Sequence, residues 1–454
     1  MQVCDGRIAP ECVAAFLNLL SVASEKISGE PSAIELNPFA FTPFVEFKDR
    51  HYLFAPPRLF ESILYAFHTK LFADKGYRTI YDDARAEWLE SAAVSAIKTL
   101  LVKAECGCGL FYGPKKTRLE LDGIVIYDNK AILVECKSKN PTLAALAGDV
   151  PKILDDLAKA ILDPFDQAKR ARDYIRGTES VDFEEKRTGR KIVVRRADIS
   201  EIFLVTVVGS GAWASIAANL PSLAPLGLFA DGEYPWAISL ADLRVVTGSL
   251  ELPSQLFDYL RRRYVIQKDG RFHLHDEWDF LGVYFAGALD PDNPSFARAS
   301  DANSITLDGF DDELQDYYYA KSIGLDPLPE KPRRKIPKKV LELLLEVERS
   351  SESGRSDAIT AVLGWPDSGL RALEEKLVTV RRKALWDGKP HAFTVHAPDN
   401  SLGIAVAYAC RDRVAVGRFL EQAIVTSGGQ NGIEKWVGFG CNLDSADVPI
   451  LVRR

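Results

Sequence analysis

Leu119-Glu120-Leu121-Asp122-Gly123-Ile124-Val125-Ile126-Tyr127-Asp128-Asn129-Lys130-Ala131-Ile132-Leu133-Val134-Glu135-Cys136-Lys137 reads as two apolar strands joined by the turn Asp128-Asn129. Asp and Asn tolerate the positive φ of a type I′ hairpin, so Tyr127 is expected to pair with Lys130. Partners then sum to 257, and Asp122 falls opposite Glu135. Directly opposed residues have Cβ atoms about 5 Å apart, where like charges repel. Two carboxylates facing each other at the end of an apolar hairpin call for a cation. A hard divalent ion, Mg²⁺ or Mn²⁺, suits oxygen ligands best. Side chains alternate along a strand, so Lys137 shares the face of Glu135, while Cys136 turns to the core as a small hydrophobe. A metal with a lysine at one strand edge suits phosphodiester hydrolysis: the ion polarises the phosphoryl oxygen, and the lysine orients or deprotonates its water.

Outward from the hairpin, Asp82 to Lys103 has apolar residues at helical spacing, with Asp82 or Asp83 as cap. Cys106-Gly107-Cys108-Gly109 is expected as a turn into a first strand, Leu110 to Tyr112, followed by strands Arg118 to Tyr127 and Ala131 to Cys136. Helices Ile153 to Leu162 and Phe165 to Arg176 follow, with Pro164 opening the second. Glu179 to Arg190 reads as a charged connection to the strand Glu201 to Val208. Upstream, Phe39 to Phe54 is rich in aromatic residues and proline, and Pro57 to Leu71 has amphipathic helical spacing. Downstream, Pro253 to Tyr264 is helix-like, and Asp326 to Lys339, with four prolines, reads as a linker. The expected parts are therefore an N-terminal segment (1–80), a core (81–210), a continuation (211–325), a basic linker (326–339) and a C-terminal α+β domain (340–454).

Asp122, Glu135 and Lys137 resemble the active-site pattern of the PD-(D/E)xK, or restriction-endonuclease-like, superfamily, in the flavour of its NERD-like and Holliday-resolvase-like branches. Leu121-Asp122-Gly123 and Val134-Glu135-Cys136-Lys137 match its second and third motifs, with Leu121 standing where the motif name has proline. The resemblance covers about residues 82 to 208 and implies an α/β fold with an αβββαβ core. It implies Asp122, Glu135 and the Cys136 carbonyl as metal ligands for Mg²⁺ or Mn²⁺, and Lys137 as the residue that activates water. Glu90 would be a supporting acid from the preceding helix, where a carboxylate on an apolar face is costly unless paired. Gln167, with Tyr174 on the same helical face, matches the glutamine frequent on the following helix. Acid-x-Lys alone is common here, recurring at Glu46, Asp128, Glu184, Glu374 and Asp387. Only the Glu135 copy ends an apolar strand with an aspartate opposite.

Composition sets the bounds. The 454 residues carry 57 Lys and Arg against 64 Asp and Glu, a net charge of −7, which argues against coating nucleic acid or membrane by bulk charge. A local basic surface remains: Asp166 to Arg196 holds ten basic residues against six acids, and Lys169, Arg170, Arg172 and Arg176 are its candidate phosphate contacts. The run Lys331 to Lys339 reads equally as a second such surface or as a solvated linker. Seven cysteines without a CxxC pair read as reduced thiols of a cytoplasmic protein. The N-terminus lacks signal-peptide character, and the uncharged stretch Ile202 to Ala230 is broken by Gly209, Gly211, Asn219 and Pro221, so no membrane span is expected. His273-x-His275 has no identifiable third ligand and reads as a strand end. The expected function is a divalent-metal-dependent nuclease, with DNA favoured over RNA as partner and endonucleolytic or exonucleolytic cleavage left open. A homodimer fits nucleases that cut two strands. The alternative is an inactive nuclease-fold module that binds nucleic acid or protein in a larger assembly, such as a defence system.

Overall fold

The structure is a computed structural model that describes residues 8–27, 42–53, 56–73 in part, 74–209, 211–287, 289–290, 304–397, 401–409, 413–431, 433, 435–443 and 450–453. The chain forms two compact units, residues 1–89 with 138–160 and residues 90–137 with 161–454. The first begins with α1 (Pro10–Leu20) and a small sheet of β1 (Ser21–Ala23), β2 (Phe44–Phe47) and β3 (Arg50–Leu53) in that order. Within the segment expected as the helix Pro57 to Leu71, Leu59 and Ser62 to Leu64 are helical, and most of the remainder lies outside the described residues, as do Phe39 to Phe41.

Helix α2 (Arg78–Leu100) starts earlier than Asp82, because the Asp74 carboxylate accepts from the backbone N–H of Gly76 (2.8 Å) and Tyr77 (3.3 Å) and begins the turn there. Asp82 and Asp83 therefore lie inside the helix and do not cap it. The strands that follow are β4 (Glu105–Tyr112), β5 (Leu119–Tyr127) and β6 (Lys130–Lys137). The Cys106–Gly109 segment is strand and not a turn: Cys106, Gly107 and Cys108 pair with Val125, Ile124 and Gly123. Two short helices, α3 (Leu143–Leu146) and α4 (Val150–Leu157), precede α5 (Asp163–Gly177), with Pro164 in its first turn.

The segment expected as a charged connection is a hairpin, β7 (Ser180–Glu185) and β8 (Lys191–Arg195). Val181, Phe183, Ile192 and Val194 are buried, and the charged residues occupy the alternate positions. Then come β9 (Glu201–Val208), the short α6 (Ala214–Ala218) and β10 (Trp236–Ser239). The seven strands form one mixed sheet in the order β10-β9-β6-β5-β4-β7-β8. β9 runs parallel to β6 and β10, and the other neighbours are antiparallel. The class is α/β. Leu110, Tyr112, Ile124 and Leu133 of the sheet bury against Ala171 and Ile175 of α5. On α2, Val94 comes so close that a Cβ on Gly123 would lie 2.6 Å from its Cγ2, so glycine is what permits the approach.

Beyond the sheet lie α7 (Leu240–Ser249), α8 (Gln255–Asp269), α9 (Glu277–Gly287) and α10 (Asp312–Ser322), with a two-stranded β11 (Phe272–Leu274) and β12 (Ile305–Leu307). Arg334, in the run expected to be solvated or phosphate-binding, is buried: it pairs with Asp258 at 3.2 Å and donates to the Leu363 carbonyl. The remaining elements are α11 (Lys338–Arg349), α12 (Arg355–Leu363), α13 (Asp367–Asp387), β13 (His391–His396), β14 (Gly403–Ala409), α14 (Arg413–Asn431), β15 (Trp436–Asn442) and β16 (Ile450–Arg453). Strand β14 alternates by size: Ile404, Val406 and Tyr408 join the core with α11 and α13, while Ala405, Ala407 and Ala409 give α14 a close seat.

The turn of the β5–β6 hairpin is gripped by this last region. Tyr127 Oη donates to Glu348 (2.6 Å), and the Asp128 carboxylate accepts from the N–H groups of Gly354 (2.7 Å) and Ser356 (2.9 Å) at the start of α12. Asn129 donates to Asp357 (2.7 Å), and the buried Lys130 ion-pairs with the same carboxylate. Only Asp128 takes a positive φ (+55°), so the turn is not type I′, which needs two such residues. The Asn129 carbonyl instead accepts from the Ser200 N–H at 2.8 Å. Asp128→Ala should destabilise the protein by about 2 kcal/mol, since it removes a helix cap and leaves Arg355 short of a partner. Chemical denaturation of the variant checks this, and a midpoint equal to wild type would contradict the role of the turn.

Candidate functional site

The hairpin ladder runs from Tyr127↔Lys130 to Gly123↔Val134, the register expected from the sequence, and one further step brings Asp122 level with Glu135. Across β4 the ladder skips the step between Cys108↔Gly123 and Leu110↔Leu121, where Gly109 takes φ +56°. That break in β4 lies opposite Asp122. The Asp122 carboxylate accepts from the Cys136 N–H at 2.8 Å, which ties it to the end of β6.

Glu135 is 1% exposed, and its Oε1 has no hydrogen-bond partner. Burial, and then the Asp122 charge, push its carboxyl up to about 9, so near neutral pH it keeps its proton and shares a hydrogen bond with Asp122. Burial also raises Asp122, against the Cys136 N–H and the Lys137 ammonium, which pull it down. Glu90 approaches from α2, where its Oε2 would lie 3.7 Å from a Cβ on Gly109, and Glu135 feels its charge. Cys136 is buried, and burial pushes its thiol far up, which leaves it unreactive.

Two further groups stand near the pair that the sequence does not single out. Lys186 is anchored by its N–H on the Gly109 carbonyl (2.8 Å), and Asp122 feels its charge. Tyr112 is pushed up to about 12 by burial first, with Arg170 opposing and Glu135 adding to the rise. Its ring centroid lies 5.4 Å from that of Tyr174. Tyr112 ends a strand expected from the sequence, but nothing in the hairpin motif points to it. Lys186 stands out in the sequence only as one member of a charged run.

The other expected residues fall elsewhere. Gln167 lines an open cavity of about 690 Å³ beside α5 with Lys169, Arg170 and Arg172, and the hairpin carboxylates do not line it. Lys169 pairs with Asp231 (2.9 Å) and Arg172 with Glu233 (2.8 Å), so two of the four expected phosphate contacts are already engaged within the chain. Arg176 is exposed and lines a separate cavity of about 440 Å³ with Phe203 and Tyr264. His275 lies 3.7 Å from Asp308 at the end of β11.

Among the described residues, no group of three or more His, Cys, Asp or Glu side chains is arranged to hold a metal ion. The pair itself nevertheless has the donor chemistry of a divalent-cation site: the buried Glu135 and the half-buried Asp122 share one proton, and the partnerless Glu135 Oε1 is a free oxygen donor. Among the described residues, no helix is long and apolar enough to cross a membrane. No protein-family model, curated protein or solved structure matches this chain.

The buried pair predicts a pH signature in the absence of metal. The folded chain holds a proton on Glu135 that the unfolded chain releases near its ordinary value of 4.5, so this residue costs stability as pH rises from there toward about 9. Glu135→Gln lacks the titration. Thermal melts in EDTA should show wild type losing ground to this variant as pH rises across that window, and a constant difference would contradict the buried proton.

Proposed function

We propose that the chain is a divalent-metal-dependent nuclease that hydrolyses phosphodiester bonds of DNA, built on a restriction-endonuclease-like core. The observation that carries this reading is the buried Glu135, with a partnerless Oε1, hydrogen-bonded to Asp122 at the hairpin end that also carries Lys137. Asp122, Glu135 and the Cys136 carbonyl would hold Mg²⁺ or Mn²⁺, which supplies Lewis-acid polarisation of a phosphoryl oxygen and a lowered water pKa.

The chain's own groups do the rest. The Lys137 ammonium, at the half-exposed end of β6, orients the attacking water and stabilises charge on the phosphoryl oxygens. Arg170, exposed on α5 and close enough to affect the same tyrosine as Glu135, holds a neighbouring phosphate. Glu90 adds negative charge behind the pair and strengthens its demand for a cation. Gln167 has the weakest place in this scheme, because it lines a different cavity.

A second reading, an inactive nuclease-fold module that binds nucleic acid or protein in a larger assembly, is favoured by the absence of a three-residue metal group among the described residues. Cleavage of circular single-stranded and supercoiled DNA with Mg²⁺, Mn²⁺ or EDTA separates the two. The nuclease reading expects metal-dependent cutting that Lys137→Ala abolishes, with a melting temperature close to wild type. Full activity in Lys137→Ala would remove Lys137 from the mechanism. No cutting under any condition, with no metal bound, would favour the module.

A further inference from the structure

Strand β4 ends with Phe111-Tyr112, still paired in the sheet, and the chain turns through Gly113-Pro114-Lys115-Lys116-Thr117-Arg118 into β5. Gly113, at φ +86°, turns the chain, and Thr117 N–H closes a tight turn on the Pro114 carbonyl at 2.9 Å. Lys115 and Lys116 ride on that turn, exposed, with no acidic partner among the described residues. Tyr112 faces the α5 core, so its neighbour Phe111 takes the other face of the sheet, where its ring stays partly exposed.

Two cations bracket that ring: Lys186 Nζ lies 5.2 Å from its centroid and Arg118 Cζ 5.6 Å. Each also meets a carboxylate, Lys186 with Glu120 (2.9 Å) and Arg118 with Glu184 (2.7 Å). Such solvent-accessible pairs are weak and exchange readily for a phosphate. The Lys186 N–H is held by Gly109, level with Asp122, so this patch begins where the acid pair ends. The basic face of α5 is a poorer candidate: Lys169 and Arg172 are paired too, but their side chains are only 19% and 14% exposed, against 35% and 34% for Lys186 and Arg118.

We propose that this edge is a binding path for single-stranded nucleic acid, with Phe111 as the base-stacking surface and Lys115, Lys116, Arg118 and Lys186 as phosphate contacts. Every base has a face that can stack on an aromatic ring, and an intact duplex hides those faces. The proposal rests on the nuclease reading for what lies at the end of the path, and it narrows the substrate to unpaired strands.

Fluorescence anisotropy of the full chain in EDTA, with a labelled oligothymidylate and a duplex of equal length, tests it. Wild type should bind the single strand more tightly. Phe111→Ala should weaken that binding by roughly 5- to 150-fold, the range for losing one stacked base. Phe111→Leu, which keeps the packing volume, should weaken it in the same direction. Lys115→Ala combined with Lys116→Ala should lower the slope of log affinity against log salt by about 1.4, or 0.7 per lost contact. Equal binding of both probes, or unchanged affinity in a folded Phe111→Leu, would overturn the proposal. Manganese titration of the same proteins in EDTA-free buffer separates the two claims: single-strand binding without Mn²⁺ binding would keep the path and discard the nuclease reading. Mn²⁺ binding without single-strand binding would do the reverse.

Discussion

The pairing of Tyr127 with Lys130 is the constraint on which the rest of the structure depends. A slip of one residue would send Asp122 and Glu135 to opposite faces and place apolar residues where the carboxyl groups now meet. The hairpin is held at both ends by different means. At the turn, buried charges are paired: Lys130 with Asp357, and Asp128 with the N–H groups that open α12. At the open end, Asp122 takes the Cys136 N–H, and Glu135 keeps a proton. Between the ends, Val125, Ile132, Leu133 and Val134 are fully buried or nearly so.

The contrast between the two ends bears on function. Burying charge is costly unless it is paired, and the turn meets that requirement with partners from the C-terminal region. The open end does not: an unpartnered oxygen on a buried carboxyl group remains, beside a second carboxyl group raised by burial. A chain selected only for stability would gain by replacing Glu135 with an apolar residue. Such unresolved polarity concentrates at binding and catalytic sites, where a ligand supplies the missing partner.

Much of this is legible in the sequence, and the failures have physical causes. The hairpin and its register can be read because two apolar runs flank a polar turn and pairing arithmetic is rigid. The β7–β8 hairpin is hidden because the exposed Asp182, Lys191 and Arg195 and the half-buried Glu184 occupy its alternate positions and mask the alternation of Val181, Phe183, Ile192 and Val194. The Cys106–Gly109 segment resembles a turn because glycines usually mark one, yet Gly107 is held in the ladder opposite Ile124. Tyr112 and Lys186 reach the acid pair only through tertiary contacts, which no spacing rule reports. The engagement of Lys169 and Arg172 likewise depends on Asp231 and Glu233, about sixty residues away.

As proposed, the Asp122–Glu135 pair is a cation site that holds a proton while it waits. Calorimetric titration of the protein with Mn²⁺ near neutral pH, repeated in buffers of different ionisation enthalpy, counts the protons released on binding. The expected result is saturable binding that expels about one proton, lost in Glu135→Gln. Binding without proton release, or equal binding by Glu135→Gln, would contradict it.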